Sequence, residues 1–461
     1  MRLAALLLLC ASSLSLSLAA EMPPAPGTPR DFRVPPKMVR TLGNGLNVTF
    51  VEWGSIPKTT VTAVLRAGNL NEGDATWLAD LTGELLKEGA GGRNASQIAE
   101  AAASMGGGVN VSVGPDFTTI SIDVLSEHGP RAIALVADLL RRPQLPESEL
   151  ARIKRDFERQ LALAKSEPDS LANEAFLALL YPDHPYGKLY PDEAQLTAYT
   201  IEDVRRFHRE NFGAARTRVY VAGRFEREIL DAAIDAAFGD WAAGPAPLVQ
   251  PPHAVAKRRL KLIDRPDAQQ STIFLGLPAI DPSHPDYLTV SLMDSILGGE
   301  FSSRITSNIR ESKGYAYSPS SDVVVRYRAG YWVQQADVTT AATGPALSEI
   351  YAEIDRLRRE PPGEAELKGM QNYRAGVFVL QNATRGALIN QLAFLDLHGL
   401  PDDYLTNFVQ NLYAITPEQV SAAARTYIRP DDMTLVIVGD LKAIRSQLTP
   451  LPQLGGLITS N

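Results

Sequence analysis

The chain has 461 residues, 45% of them hydrophobic and 21% charged, a balance that suits a globular protein with more than one core. Its formal net charge of -8 supplies no basic face, so a nucleic-acid partner is not expected. Residues 1–19 read as a secretory signal peptide: Arg2 precedes an apolar run over 3–9, and Ser17, Leu18 and Ala19 give the small-x-small pattern of a cleavage site. The run is short for a span, which needs about 20 apolar residues, so an uncleaved anchor fits less well. Cys10 raises a lipoprotein alternative, but Leu7, Leu8 and Leu9 lack the small residue such a site uses. Cys10 is also the only cysteine, so a cleaved chain can form no disulfide and can use no thiol nucleophile. No later stretch is long and apolar enough to span a bilayer, and the mature protein is expected in a bacterial periplasm. Residues 20–36 are rich in proline and polar groups and read as a flexible lead-in.

Further along, residues 59–66 have strand character, and helices are predicted over 79–87, 95–105 and 147–166. Residues 108–125 alternate like two strands that turn near Gly114, Pro115 and Asp116. Thr200 reads as an N-cap before an amphipathic helix, followed by a β-rich run over 218–222 that ends at Gly223. The same phrase returns at Thr416, with its β-rich run over 434–438 ending at Gly439; both landmarks are displaced by 216 residues. The strand-like run over 270–277 fits the same duplication. A proline-rich stretch, AAGPAPLVQPPHAVA from Ala242, lacks periodicity and marks a linker. The expected fold is therefore α+β: two homologous α/β-sandwich domains, 37–243 and 257–450, joined by a linker over 244–256.

Several phrases resemble the insulinase/pitrilysin family of zinc metallopeptidases, above all its bacterial two-subunit branch and the mitochondrial processing peptidases. They are TLGNGLNVTFVE from Thr41, LRAGNLNEGDATWLADLTGELLKEGAGG from Leu65, the long stretch from Met105 that opens MGGGVNVSVGPDFTTISIDVL, DHPYGK from Asp183, and ILGGEFSSRITSNIRESKGYAYS from Ile296. Their order covers nearly the whole mature chain. Active members carry His-x-x-Glu-His on a helix, with a further Glu downstream; the two His face one ion, and the Glu activates its water. The resemblance aligns Asp80 and Glu84 with the two His, Gly83 with the base, and Gln160 with the third ligand. The histidines His128, His184, His208, His253, His284 and His398 are scattered, and no two have helical ligand spacing. Asp80 and Glu84 could share a hard cation with Gln160; an ordinary hydrated acidic helix face accounts for them more simply.

The resemblance implies a different inheritance in the second half. In the bacterial branch an Arg and a Tyr seven residues apart bind the substrate's peptide group across a cavity from the zinc. The matching residues are Arg310 and Tyr317. A guanidinium and a phenol at that position would stabilise a tetrahedral oxyanion. Tyr315, two residues from Tyr317, would share its face in a strand and make a secondary contact. Gly298 and Gly299 match a glycine-rich loop that admits substrate, although a plain helix-to-loop turn explains them equally well. Residues 106–113 could take an extended peptide by strand addition.

The resemblance thus implies a non-catalytic, substrate-binding subunit with no metal or cofactor of its own. It would pair with a zinc-bearing partner of the same family, in a heterodimer or larger assembly that forms a clam-like chamber for peptides. The alternatives are a peptide-binding scaffold without proteolytic role and a self-sufficient enzyme with an unusual metal site.

Overall fold

In the computed structural model, which describes residues 33–458, alternating apolar residues build two sheets of matching design. The segments that read as a signal peptide and most of the lead-in lie outside the described residues. In the first half, β1 (Lys37–Thr41), β2 (Asn47–Glu52) and β3 (Lys58–Leu65) precede a short pair, β4 (Gly89–Ala90) and β5 (Arg93–Asn94). Then come β6 (Val109–Val113), β7 (Thr118–Leu125) and β8 (Thr217–Gly223). The second half supplies β9 (Arg259–Asp264), β10 (Gln270–Ala279), β11 (Ser320–Arg326), β12 (Ala329–Thr339) and β13 (Thr434–Gly439). The first sheet runs β1-β2-β8-β3-β7-β6, and the second, read from its far edge, β9-β13-β10-β12-β11. Apart from β1, the two orders correspond strand for strand.

Helix starts repeat as well. Thr200 and Thr416 each form a capping box, with Asp203 and Gln419 respectively, and open the helices Ile201–Asn211 and Pro417–Tyr427. Residues 242–258 carry neither helix nor strand. The α+β fold expected from sequence is therefore present, built twice.

The central strands are buried on both faces, and a different element covers each face. Along β3, Val61, Ala63 and Leu65 point into the first half's own helical core, whereas Val64 points the other way. Along β13, Leu435 and Ile437 join the second half's core, whereas Val436 and Val438 face away from it. The outward faces are covered by exchange. Helix Pro168–Leu180 of the first half lays Ala172, Phe176 and Leu177 on Phe274, Tyr331, Val436 and Val438 of the second sheet. Helix Arg385–His398 of the second half lays Leu388, Ile389 and Leu392 on Val51, Val64, Tyr220 and Ala222 of the first sheet.

Polar contacts fix the second crossing. Arg385 Nη2 meets Asp123 at 2.9 Å, Arg218 meets Asp396 at 3.2 Å, and the Tyr220 hydroxyl donates to Asp396. Each fully buried Leu or Phe in these seams contributes about 1.5–3 kcal/mol. The described residues accordingly form one compact unit.

Candidate functional site

The first half places the degenerate zinc phrase on helix Leu78–Leu86. Leu78, Leu81 and Leu85 recur at helical spacing and are buried, so this stripe anchors the helix to the core. Its start is held by Glu72, whose carboxylate accepts the backbone N–H of Ala79 at 2.8 Å and of Trp77 at 3.1 Å. Burial pushes the Glu72 carboxyl up to about 8. Glu72 has no motif signal; a lone Glu six residues before a helix is legible only once the fold closes around it.

The residues aligned with the metal apparatus do not fit a zinc ion. Asp80 is bound by the Asn69 amide at 2.6 Å, and burial raises its carboxyl above the usual range. Glu84 is paired with Lys87 at 2.6 Å. Gly83 has no side chain to act as base, and a Cβ there would lie 2.5 Å from Val113 Cγ2 on β6, so the helix sits close against the sheet. Gln160 lies on helix Glu147–Ser166, which turns Leu150, Ile153, Phe157 and Leu161 inward and leaves Gln160 exposed. Nothing joins Gln160 to Asp80 or Glu84 by a hydrogen bond among the described residues. Nor, among those residues, could any group of three His, Cys, Asp or Glu hold a metal ion. The strand behind this helix, β6, is an outer strand of its sheet, as strand addition would require.

In the second half, helix Tyr287–Asp294 widens into a π-helical turn, Ser295–Gly299. Gly298 and Gly299 therefore close a helix and are not part of an open loop. A Cβ on Gly298 would sit 2.6 Å from Ser321 Oγ and from Gln334 Oε1, and one on Gly299 would sit 2.6 Å from Asp294 Oδ2. The smallness of Gly298 serves close packing on β11 and β12, and that of Gly299 a close approach to Asp294 in the preceding helical turn. Beneath them the fully buried Asp294 accepts hydrogen bonds from Trp332 Nε1 at 2.7 Å and from the Ser321 hydroxyl, and burial pushes its carboxyl up to about 7.

The chain then returns to the surface. Arg310, in the turn Ser307–Ser312, lies over the Phe301 ring at 4.3 Å and over the Tyr317 ring at 5.1 Å. Both rings are open to solvent, Phe301 at 66% and Tyr317 at 78% exposure, which is unusual for large aromatic side chains. Arg310 Nε meets Glu311 at 3.2 Å, and its η nitrogens have no hydrogen-bond partner among the described residues. Two rings thus orient a guanidinium while leaving its outer donors available.

Tyr315 does not share this surface. It flanks an isolated bridge at Ala316, is half-buried and packs against the second core. Sequence reasoning does not single out Phe301. The only hint is an aromatic residue just past a Gly-Gly pair, where a buried ring would have no wall to meet. The described contacts join neither Asp80 nor Glu84 to Arg310 or Tyr317.

Comparison with known proteins gives two matching family models. Residues 54–190 match "Insulinase (Peptidase family M16)", and residues 198–373 match "Peptidase M16 inactive domain". A protein of Streptomyces coelicolor described as an uncharacterised zinc protease is 24% identical over 87% of this chain and 89% of its own length. A Bacillus subtilis protein with the same description is 22% identical over 85% of this chain and 95% of its own. Among solved structures, a peptidase M16 inactive domain from Pseudomonas fluorescens superposes with TM-score 0.81 and 26% identity, over 87% of this chain and 98% of that one. The Escherichia coli periplasmic protease PqqL shares the fold, with TM-score 0.76 and 18% identity, over 94% of this chain and 50% of its own.

Proposed function

Since the chain belongs to the insulinase family of peptidases (family M16), we propose that it is the non-hydrolytic, substrate-binding subunit of a two-chain zinc peptidase. The observation that carries this reading is a contrast. The helix that should hold metal offers Asp80, Gly83 and Glu84, while Arg310 stands between two exposed rings with donors to spare. A partner chain with an intact His-x-x-Glu-His helix would supply the zinc and its activated water. This chain's second half would face that site across a clam-like chamber. Arg310 and Tyr317 would meet the peptide oxygen as negative charge develops on it, and β6 would offer an edge to an extended substrate. The site of action is the periplasm, from the signal-peptide pattern of residues 1–19 and in keeping with PqqL, a periplasmic protease of the same fold.

The test is to purify this chain and a zinc-bearing partner, alone and together, and to assay cleavage of unfolded peptides while measuring zinc. The expected result is hydrolysis by the mixture well above that of the partner alone, with no stoichiometric zinc on this chain. A mixture no more active than the partner overturns the proposal. Peptide binding without any gain in hydrolysis would favour a scaffold role, and stoichiometric zinc on this chain would favour a self-sufficient enzyme.

A further inference from the structure

A concavity lies in the second half, among helix Tyr287–Asp294 and the helices Glu364–Gln381, Arg385–His398 and Tyr404–Ala414. Its volume is about 320 Å³, at the small end of ligand-binding cavities and too small for a folded partner. Five aromatic rings line it: Tyr287, Phe378, Phe394, Tyr404 and Phe408. Phe378 and Phe408 are stacked at 4.1 Å with an interplanar angle of 14°, so each ring braces the other in the wall.

The polar groups in the wall are mostly uncharged. The side chains of Gln381, Asn390 and Gln391 have no hydrogen-bond partner among the described residues, and neither do the hydroxyls of Tyr287 and Tyr404. Burial raises both phenols, Tyr404 to about 12, so they stay protonated donors. No carboxylate lines the cavity, which gives a cationic ligand nothing to pair with. The one cation in the wall, Arg374, donates to Ser291 Oγ at 2.9 Å and is met by Glu300 at 3.7 Å, so an anionic ligand would have to compete with a residue already in place. What remains is an aromatic box rimmed by primary amides. Each amide offers both a donor and an acceptor, which is what a neutral peptide group needs. An aromatic side chain would meet ring edges and faces on several sides.

We infer that this cavity is a binding subsite for a single aromatic side chain of an extended peptide, with Asn390 and Gln391 holding the neighbouring backbone. The inference rests on the peptide-binding role proposed above and names the substrate class that role would favour. Its place in the fold suits that role. Glu300, which meets Arg374 at the cavity wall, sits between Gly299 and Phe301, and Phe301 is one of the two rings around Arg310.

The test uses the mature chain alone, by isothermal titration with acetyl-Ala-Ala-Phe-Ala-Ala-amide and its Leu and Ala counterparts. The Phe peptide should bind about tenfold more tightly than the Ala peptide. Phe408→Ala should abolish that preference, with a thermal melt run alongside to show the variant is folded. Asn390→Ala combined with Gln391→Ala changes only side chains that carry no internal hydrogen bond, and it should weaken the Phe peptide about fivefold or more. Equal affinity for the three peptides, or a preference untouched by the double variant, overturns the inference. So does free phenylacetamide binding as tightly as the peptide, which would make the cavity a small-molecule site. Because no partner chain is present, failure here leaves the two-chain hydrolysis test standing, and failure of that test leaves this one standing.

Discussion

The two halves build sheets of matching strand order but carry different chemistry around the helices packed on them. In the first, helix Leu78–Leu86 packs against β6 through Gly83 in its interior, and its polar groups are spoken for: Asp80 by Asn69, Glu84 by Lys87. In the second, the π-helical turn Ser295–Gly299 packs on β11 and β12 through Gly298, and the chain beyond it forms a surface where Phe301 and Tyr317 flank an arginine with open donors. The packing requirement is the same in both, a backbone brought near a strand, and glycine meets it in both. The difference lies in the side chains beyond the glycine. A fold can therefore keep its framework intact in both copies while the side chains set on that framework differ from one copy to the other.

The largest expected effect tests whether the halves are as equivalent structurally as they are unlike chemically. Phe176→Ala removes a fully buried ring from the seam over the second sheet and should lower stability by about 3–5 kcal/mol; Leu392→Ala, in the reciprocal seam, should cost about 2–5 kcal/mol. Urea unfolding followed by tryptophan fluorescence should show a single transition for each variant. Two separate transitions would mean that the halves melt independently.

Next comes the chemical asymmetry. In the assembled two-chain enzyme, Arg310→Ala should reduce kcat by about 10²-fold or more, the usual loss of about 2.7–4 kcal/mol for one oxyanion donor, whereas Asp80→Ala in this chain should leave kcat within about twofold. Equal effects at the two positions would erase the contrast.

A smaller effect concerns the packing glycine. Gly83→Glu, which supplies the carboxylate of an active relative's base, forces atoms into the space held by Val113 and should destabilise by about 1–3 kcal/mol without conferring hydrolysis. Thermal melts and a peptide assay on the chain alone check both parts.

A last test is a pH slope to which each half contributes one carboxyl. Glu72 and Asp294 have folded values raised to about 8 and about 7, so between the ordinary carboxylate range and those values the folded chain binds protons that the unfolded chain does not. Stability should accordingly fall as pH rises through that window, by at most about 1.4 kcal/mol per pH unit for each group. Glu72→Gln and Asp294→Asn should each flatten the slope in urea titrations at several pH values. A slope unchanged in both variants would assign it to other groups.

Much of the molecule is readable from sequence where the signal is local. The capped helices after Thr200 and Thr416 announce the duplication, because a capping box is written within four residues. The predicted helix over 147–166 coincides with Glu147–Ser166, and the hairpin about Gly114 is present as β6 and β7. What the sequence hides is the partner of each face. Nothing near Phe176 says that its ring meets Phe274 and Tyr331, and nothing near Leu392 says that it covers Val64. Gly298 and Gly299 read as a loop because glycine pairs usually mark turns; the side chains that need Gly298's smallness, Ser321 and Gln334, lie on later strands, and Gly299 closes on Asp294 only once the helix widens. Gln160 is aligned by spacing alone, and spacing does not give the rotation of a helix that turns it to solvent. Phe301 carries no periodic cue, and its role depends on an exposure that only a folded surface defines.

The exchanged helices have a consequence for dissecting the molecule. A fragment ending in the linker would keep helix Pro168–Leu180 with no sheet to cover, and would leave Val51, Val64, Tyr220 and Ala222 bare. The complementary fragment would have the mirror-image defect. Two copies of either fragment could satisfy each other by trading helices, so a half expressed alone is expected to be a swapped dimer. The duplicated chain is, in that sense, such a dimer written as one polypeptide, and the linker's main service is to make the trade intramolecular.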